Sequence, residues 1–302
     1  MTKFYLEKGS GYIKKVTGEA SYNVEPIIVQ PTPEGMEILA QRYCQKYQID
    51  LRVYDGRSIE EGDQLIKRFE AFKAQFDFGS LSETRTTGII LSHGQNHVVP
   101  LLFSQENGQK FLIIFDSTSG TRMKGYYPIA NLFPDYQVLL NFGTRQADDG
   151  SCVADALSIL KDALRMPELG TYLTENKLHE IVEEGSGRKI FFGTPKPNNF
   201  KIFLMPEELL KTAQISKFVE NSNPDLDKTI TKNNETLGQR RQRDRTLVSF
   251  NRDETKEVGI NAYLHKKSQK YRQILDQQSE QLPSKSPEPT LGQQTTDSKT
   301  IV

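Results

Sequence analysis

The sequence predicts an α/β protein, a mixed sheet flanked by helices, with a small, mainly helical module following it. Three observations carry that prediction. Short runs rich in β-formers recur at 88–91, 97–103, 111–116 and 136–142, with Gly, Asn or Pro between them. The segment 151–164 then sets Val153, Ala156, Leu157, Leu160, Ala163 and Leu164 on one helical stripe. Helical patterns resume at 207–219 and 259–275, beyond the strand-rich part.

Taken in order, residues 1–33 mix Gly, Lys, Thr and Glu without a sustained period and read as an irregular or targeting segment. Between 34 and 78, Met36, Ile38, Leu39 and Tyr43 mark one core-facing helix and Leu65, Ile66, Phe69, Phe72 and Phe76 a second. A strand at 51–54 parts them. The β-rich runs form one sheet, and helix 151–164 packs on it. Short elements follow at 189–192 and 201–204, and the chain between the two later helices is polar. From 276 to 302 Gln, Ser, Pro, Lys and Thr dominate; they bury too little apolar area to offset chain entropy, so this tail is expected to be disordered.

Bulk properties exclude several classes. A chain of 302 residues holds one substantial core plus a smaller module. Basic and acidic residues balance at 39 each, so no global field draws the protein to nucleic acid or to an anionic membrane. No apolar run is long enough to span a bilayer. Two cysteines, Cys44 and Cys152, and an N-terminus without an apolar signal core point to reduced thiols.

The chemistry is carried by four residues. The runs 97–103 and 111–116 flank Asn107-Gly108, the strongest short signal for a hairpin turn. With those two residues as the loop, His97 faces Thr118 and Asp116 faces Val99, which sets imidazole and carboxylate diagonally on one face. A carboxylate there fixes the tautomer of the histidine and stabilises the imidazolium, as a base serving a thiol requires. Cys152 follows Gly150-Ser151 at the start of the predicted helix, where unpaired N–H groups and the macrodipole favour negative charge. Those N–H groups, with the side-chain amide of Gln146, supply donors for an oxyanion. Singly, His97 reads as a strand-end histidine and Cys152 as a small buried residue; the ordered set is what reads as a site. His93 competes as the base but lies off the hairpin geometry, and Cys44, inside a helical apolar pattern, reads as structural. No metal is implied.

The order histidine, strand, turn, strand ending in an acid, then glutamine and cysteine resembles the clan CE cysteine enzymes. Two branches compete. Ubiquitin-like proteases share the pair Asp116-Ser117 and the interval from Gln146 to Cys152, but typically place Trp after the histidine and Gly after the cysteine, where this chain has Val98 and Val153. The YopJ family is similar over more of the chain, roughly 88–275. Its histidine-to-acid interval and Asn-Gly turn resemble His97 to Asp116, and Met205-Pro206 through Lys211-Thr212-Ala213-Gln214 looks like its Leu-Pro segment ending in Lys-His-x-Gln. Residues 232–237 with Arg240, and His265-Lys266-Lys267, resemble later family blocks. Asp116 stands for the commoner Glu, Thr212 for His and Val153 for Gly.

That resemblance implies a clan CE fold, with a catalytic domain at 34–203 and a regulatory module at 204–275. It implies acetyl transfer from acetyl-CoA through a Cys152 thioester, with His97 as base, to Ser, Thr or Lys of host proteins. Inositol hexakisphosphate would activate the enzyme, held by Arg240, Arg241, Arg243, Arg245, Lys266, Lys267 and Lys270, and Lys211 matches a lysine associated with self-acetylation. A bacterial effector secreted into the host cytoplasm is the implied setting. The alternatives are an isopeptidase for ubiquitin or a ubiquitin-like tag, and a degraded member that only binds host proteins. Oligomeric state stays open.

Overall fold

The computed structural model describes residues 6–8, 13–17, 20–22, 29–55, 65–76, 86–93, 97–118, 123–146, 151–179, 196–231, 233–250, 257–261 and 263–280. The segment read as irregular supplies short strands, β1 (Leu6–Lys8), β2 (Ile13–Thr17), β3 (Ala20–Tyr22) and β4 (Val29–Pro31). Helix α1 (Pro33–Tyr47) starts where the Thr32 hydroxyl accepts from the Gly35 N–H at 3.2 Å, with Pro33 in its first turn. It stops at Gln48, whose φ of 53° is left-handed. Met36, Leu39 and Tyr43 are buried, as their pattern predicts, Ala40 joins them, and Ile38 is only partly buried. Strand β5 (Asp50–Tyr54) and helix α2 (Leu65–Gln75) follow.

Next come β6 (Thr87–His93), β7 (His97–Glu106) and β8 (Gln109–Ile114). Asn107 and Gly108 have φ of 50° and 81°, the two left-handed positions a two-residue hairpin loop demands. Leu101 therefore pairs with Ile114 and Glu106 with Gln109, the register expected from the sequence. A 3₁₀ turn at Met123–Tyr126 and helix α3 (Tyr127–Leu132) lead into β9 (Tyr136–Asn141), then α4 (Cys152–Ala163), α5 (Leu169–Asn176) and β10 (Phe200–Phe203).

Among the described residues β5 to β10 form one six-stranded sheet in the order β10-β9-β8-β7-β6-β5. The pairs of β7 with β6 and β8 are antiparallel, while β5–β6, β8–β9 and β9–β10 are parallel. Side chains alternate across it. Ile90, Leu102, Ile113 and Leu139 join a core with α1 and α4, whereas Ile89, Leu101, Leu112 and Ile114 meet Phe69 and Phe72 of α2 and Ile129 of α3. Helices thus cover both faces.

The remaining chain departs from the sequence reading in instructive ways. A continuous helix over 207–219 is replaced by a 3₁₀ helix Glu207–Thr212 and α6 (Ser216–Asn221), separated by extended backbone at Ala213 and Ile215. There the Gln214 and Ile215 N–H groups donate to the Arg145 carbonyl at 2.8 and 3.3 Å instead of continuing a helix. The polar stretch contains α7 (Leu237–Asp244), nucleated by a capping box between Thr236 and Gln239, and β11 (Arg245–Phe250). The last predicted helix begins as strand β12 (Glu257–Asn261) and becomes α8 (Tyr263–Glu280), which enters the stretch read as a disordered tail. Strands β12, β11, β2 and β3 form a second sheet in that order. Because α8 packs on α1 and α4, helix α4 is buried on nearly every side and not only along its apolar stripe. The short element expected at 189–192 and residues 281–302 lie outside the described residues.

Candidate active site

His97 opens β7 and Asp116 follows β8, so the hairpin register brings them together: His97 Nε2 lies 3.0 Å from Asp116 Oδ1. The carboxylate is held from every side. The Tyr126 hydroxyl donates to Oδ2 at 2.6 Å, and the Thr118 N–H and hydroxyl donate to Oδ1 at 2.9 and 3.1 Å. Burial alone would raise the Asp116 carboxyl, but the bond and charge of His97, with the Tyr126 and Thr118 donors, hold it well below the usual carboxylate range.

Cys152 is the first residue of α4 and is buried. Its side chain is hydrogen-bonded to His97. Burial pulls the imidazole down, yet the hydrogen bonds to Asp116 and Cys152 and their charges outweigh it and push His97 up to about 9. His97, Asp116 and Cys152 thus form one hydrogen-bonded chain. Gln146 lies against it: its Oε1 accepts from the Ser117 hydroxyl at 2.6 Å, and the Arg145 and Gln146 N–H groups donate to the Ser117 carbonyl at 3.0 and 3.2 Å. Ser151, just before the cysteine, accepts from Gln214 Nε2 at 3.2 Å.

Tyr126 and Arg145 escaped the sequence reading. No local pattern marks Tyr126, and the Arg145 partner, Asp155, lies ten residues on in another element, α4. Val153 and Thr212, the departures noted in the sequence, are both buried core positions. His93 ends β6 opposite His97. Cys44 is half-buried with Sγ 3.2 Å from the Leu51 carbonyl, a structural place.

The predicted cations divide. Arg240, Arg243, Lys266, Lys267 and Lys270 line a pocket of about 260 Å³ together with Asp244 and Tyr263. Several are already paired: Arg240 with Glu235 and Asp244, each at 3.2 Å, Arg243 with Glu235 at 2.6 Å, and Lys266 with Asp244 at 2.7 Å. Arg241 turns away to the Ala213 carbonyl and the Ser216 hydroxyl, at 3.3 and 3.2 Å, and Arg245 is exposed at the start of β11.

A larger cavity of about 520 Å³ carries cations that sequence reasoning missed, Lys46, Lys161 and Arg165, beside Lys211, with Asp162 as the acidic group on its wall. Lys211 Nζ lies 2.5 Å from Asp162 Oδ2, and burial, opposed by Asp162 and reinforced by Lys161, lowers its amine below the ordinary lysine value. Lys267 falls to about 8, through burial first and then the fields of Lys161, Lys270 and Lys46, which Asp162 partly offsets. Burial is the larger cause, and the neighbouring lysines of the two cavities add to it. These cations come from α1, α4, the 3₁₀ helix and α8, so no window of sequence displays them together.

A mixed sheet between helix layers defines an α/β protein, and a cysteine at a helix start lies beside the histidine–aspartate pair of a hairpin. The family model described as YopJ Serine/Threonine acetyltransferase matches residues 55–273, and the chain belongs to that family. Solved structures with the same fold include an AvrA variant with IP6 and CoA, at TM-score 0.51 and 16% identity over 80% of this chain and 86% of that one. HopZ1a in complex with IP6 and CoA gives 0.51 and 11%, over 81% and 85%. HopZ1a with IP6 gives 0.50 and 12%, over 81% and 84%. No curated protein matches the chain. Among the described residues no helix is long and apolar enough to cross a membrane.

Proposed function

We propose that this family member transfers acetyl from acetyl-CoA to Ser, Thr or Lys of host proteins by way of a thioester on Cys152. The observation that carries the reading is the single hydrogen-bonded chain from Asp116 through His97 to Cys152. With Nε2 committed to the carboxylate, Nδ1 is the nitrogen that serves the thiol. His97 takes the thiol proton, the sulfur attacks the acetyl carbonyl, and the displaced CoA thiolate leaves with that proton. An acceptor hydroxyl or amine then attacks the Cys152 thioester while His97 takes its proton, which returns the thiol as the acetyl group departs. Ser117 holds Gln146 Oε1, so Nε2 is the donor end that joins the α4 N–H groups in steadying the oxyanion of each step.

Inositol hexakisphosphate is the proposed activator. The fit lies in crowded positive charge: Lys46, Lys161, Arg165 and Lys211 around one cavity, and Lys267 and Lys270 adjoining it, with few acids to neutralise them. The IP6 and CoA carried by the AvrA and HopZ1a structures support this assignment. Gln214 gives the cationic module a route to the nucleophile, since its carbonyl accepts from the Asn261 N–H at 3.3 Å, just before α8, while its side chain holds Ser151. Lys211, with its lowered amine, is the proposed site of self-acetylation. Delivery into a host cell as a bacterial effector follows from the family.

Intact mass spectrometry after mixing with acetyl-CoA, with and without the polyphosphate, tests the reading. One acetyl on Cys152 and further acetyl on the protein, both dependent on the polyphosphate, are expected. An unmodified Cys152, or labelling of Cys152 by a ubiquitin C-terminal electrophile in place of acetyl, would sink it.

A further inference from the structure

Arg145 is 1% exposed and stands immediately before Gln146. Its guanidinium is shared between α4 and the chain end that carries Asp116. Nε lies 3.3 and 3.1 Å from Oδ1 and Oδ2 of Asp155, and Nη2 is 2.5 Å from Oδ2. The same Nη2 donates to the Phe115 carbonyl at 2.5 Å, and Nη1 to the Asp116 carbonyl at 3.4 Å. Asp155 sits one turn after Cys152 on α4, and its N–H donates to the Ser151 carbonyl at 2.8 Å. The Arg145 main chain is stitched as well, to the Ser117 carbonyl at 3.0 Å and from the Gln214 N–H at 2.8 Å.

Stability alone explains this arrangement poorly, because a buried ion pair gains little over a well-packed apolar pair of the same volume. Its location has a better rationale. The acid and the base it orients ride on one hairpin, while the sulfur rides on a separate helix, and proton transfer tolerates little variation between them. A planar fork that binds a carboxylate on one edge and two carbonyls on the other sets that separation rigidly.

Resting on the reading of Cys152, His97 and Asp116 given above, we infer that Arg145, with Asp155 as counter-ion, is a positioning residue that fixes the distance between the Cys152 sulfur and the His97–Asp116 pair. Two variants test it. Arg145→Lys keeps a cation opposite Asp155 but loses the planar fork that meets the carboxylate on one edge and the two carbonyls on the other. Arg145→Met/Asp155→Leu replaces the buried pair with apolar groups and leaves the two carbonyls without their donor.

For each variant kcat and KM for acetyl-CoA are measured per folded molecule, and His97 is titrated by NMR. The expected result is a kcat lower by roughly 10- to 100-fold with KM nearly unchanged, and His97 moved from about 9 toward its ordinary value. Wild-type kcat and an unmoved His97 in whichever variant folds would overturn the inference, as would activity lost only in proportion to lost folded protein. Cys152→Ala separates the two claims. If it still transfers acetyl, the enzymatic reading fails; if it is inactive while Arg145→Lys is fully active, only the positioning role fails.

Discussion

Replacing Asp116 with asparagine keeps the shape of the side chain and removes its charge, which isolates what the carboxylate does for His97. In the intact protein His97 is pushed up from 6.5 to about 9, although burial acts in the opposite direction. At ~1.4 kcal/mol per tenfold, that difference corresponds to roughly 3 kcal/mol favouring the imidazolium. Without the charge at Asp116 only the bond and charge of Cys152 still oppose burial, and His97 is expected to fall well below about 9. The protein contains four histidines, so selective ¹³C or ¹⁵N labelling resolves the curve.

Stability follows with a definite sign. The raised His97 stabilises the fold fully below its unfolded value near 6.5, and that contribution disappears as pH rises through about 9. The depressed Asp116 stabilises above its unfolded value of 3.8, and that contribution disappears as pH falls through its lower folded value. Wild type should therefore exceed Asp116→Asn most between about pH 4 and 6.5, with the gap narrowing above about 9, as read from urea midpoints. Acetyl transfer should fall by roughly 10²- to 10⁴-fold. A wild-type His97 that titrates near 6.5, or an Asp116→Asn protein whose His97 stays near 9, would refute the reasoning.

Removing the hydroxyl with Tyr126→Phe deletes the 2.6 Å donor to Asp116 Oδ2; a loss of about 1–3 kcal/mol in thermal or urea stability is expected, with His97 shifted slightly upward because the carboxylate is less neutralised. Gln214→Leu fills the same space but removes the Gln214 hydrogen bond to Ser151, so polyphosphate stimulation of Cys152 acylation should shrink while polyphosphate binding, followed by calorimetry, persists. Lys161→Gln combined with Lys267→Gln removes two charges from the crowded cavities, and should weaken polyphosphate binding about 10- to 100-fold and abolish most of the thermal shift that the ligand produces. Gly108→Val places a β-branched residue at φ +81°, and should lower stability by about 1–3 kcal/mol through strain in the turn that aligns His97 with Asp116.

Local physics made much of this protein legible from the sequence. A two-residue turn fixes hairpin register, and with it the pairing of His97 and Asp116, because side chains alternate strictly along a strand. An apolar stripe beginning at Cys152 marks a helix start wherever its neighbours lie. Periodicity misled where distant backbone competed: the Arg145 carbonyl captured the N–H groups of Gln214 and Ile215 and split a helix whose pattern ran on. For a related reason residues 13–17, read as irregular, form strand β2, which pairs with β11 far along the chain. Tyr126, Arg145 and the shared field of Lys46, Lys161, Lys211 and Lys267 belonged to tertiary structure alone. Each arises where separate elements converge, and the energy of such a contact depends on a distance in space that no spacing along the chain encodes.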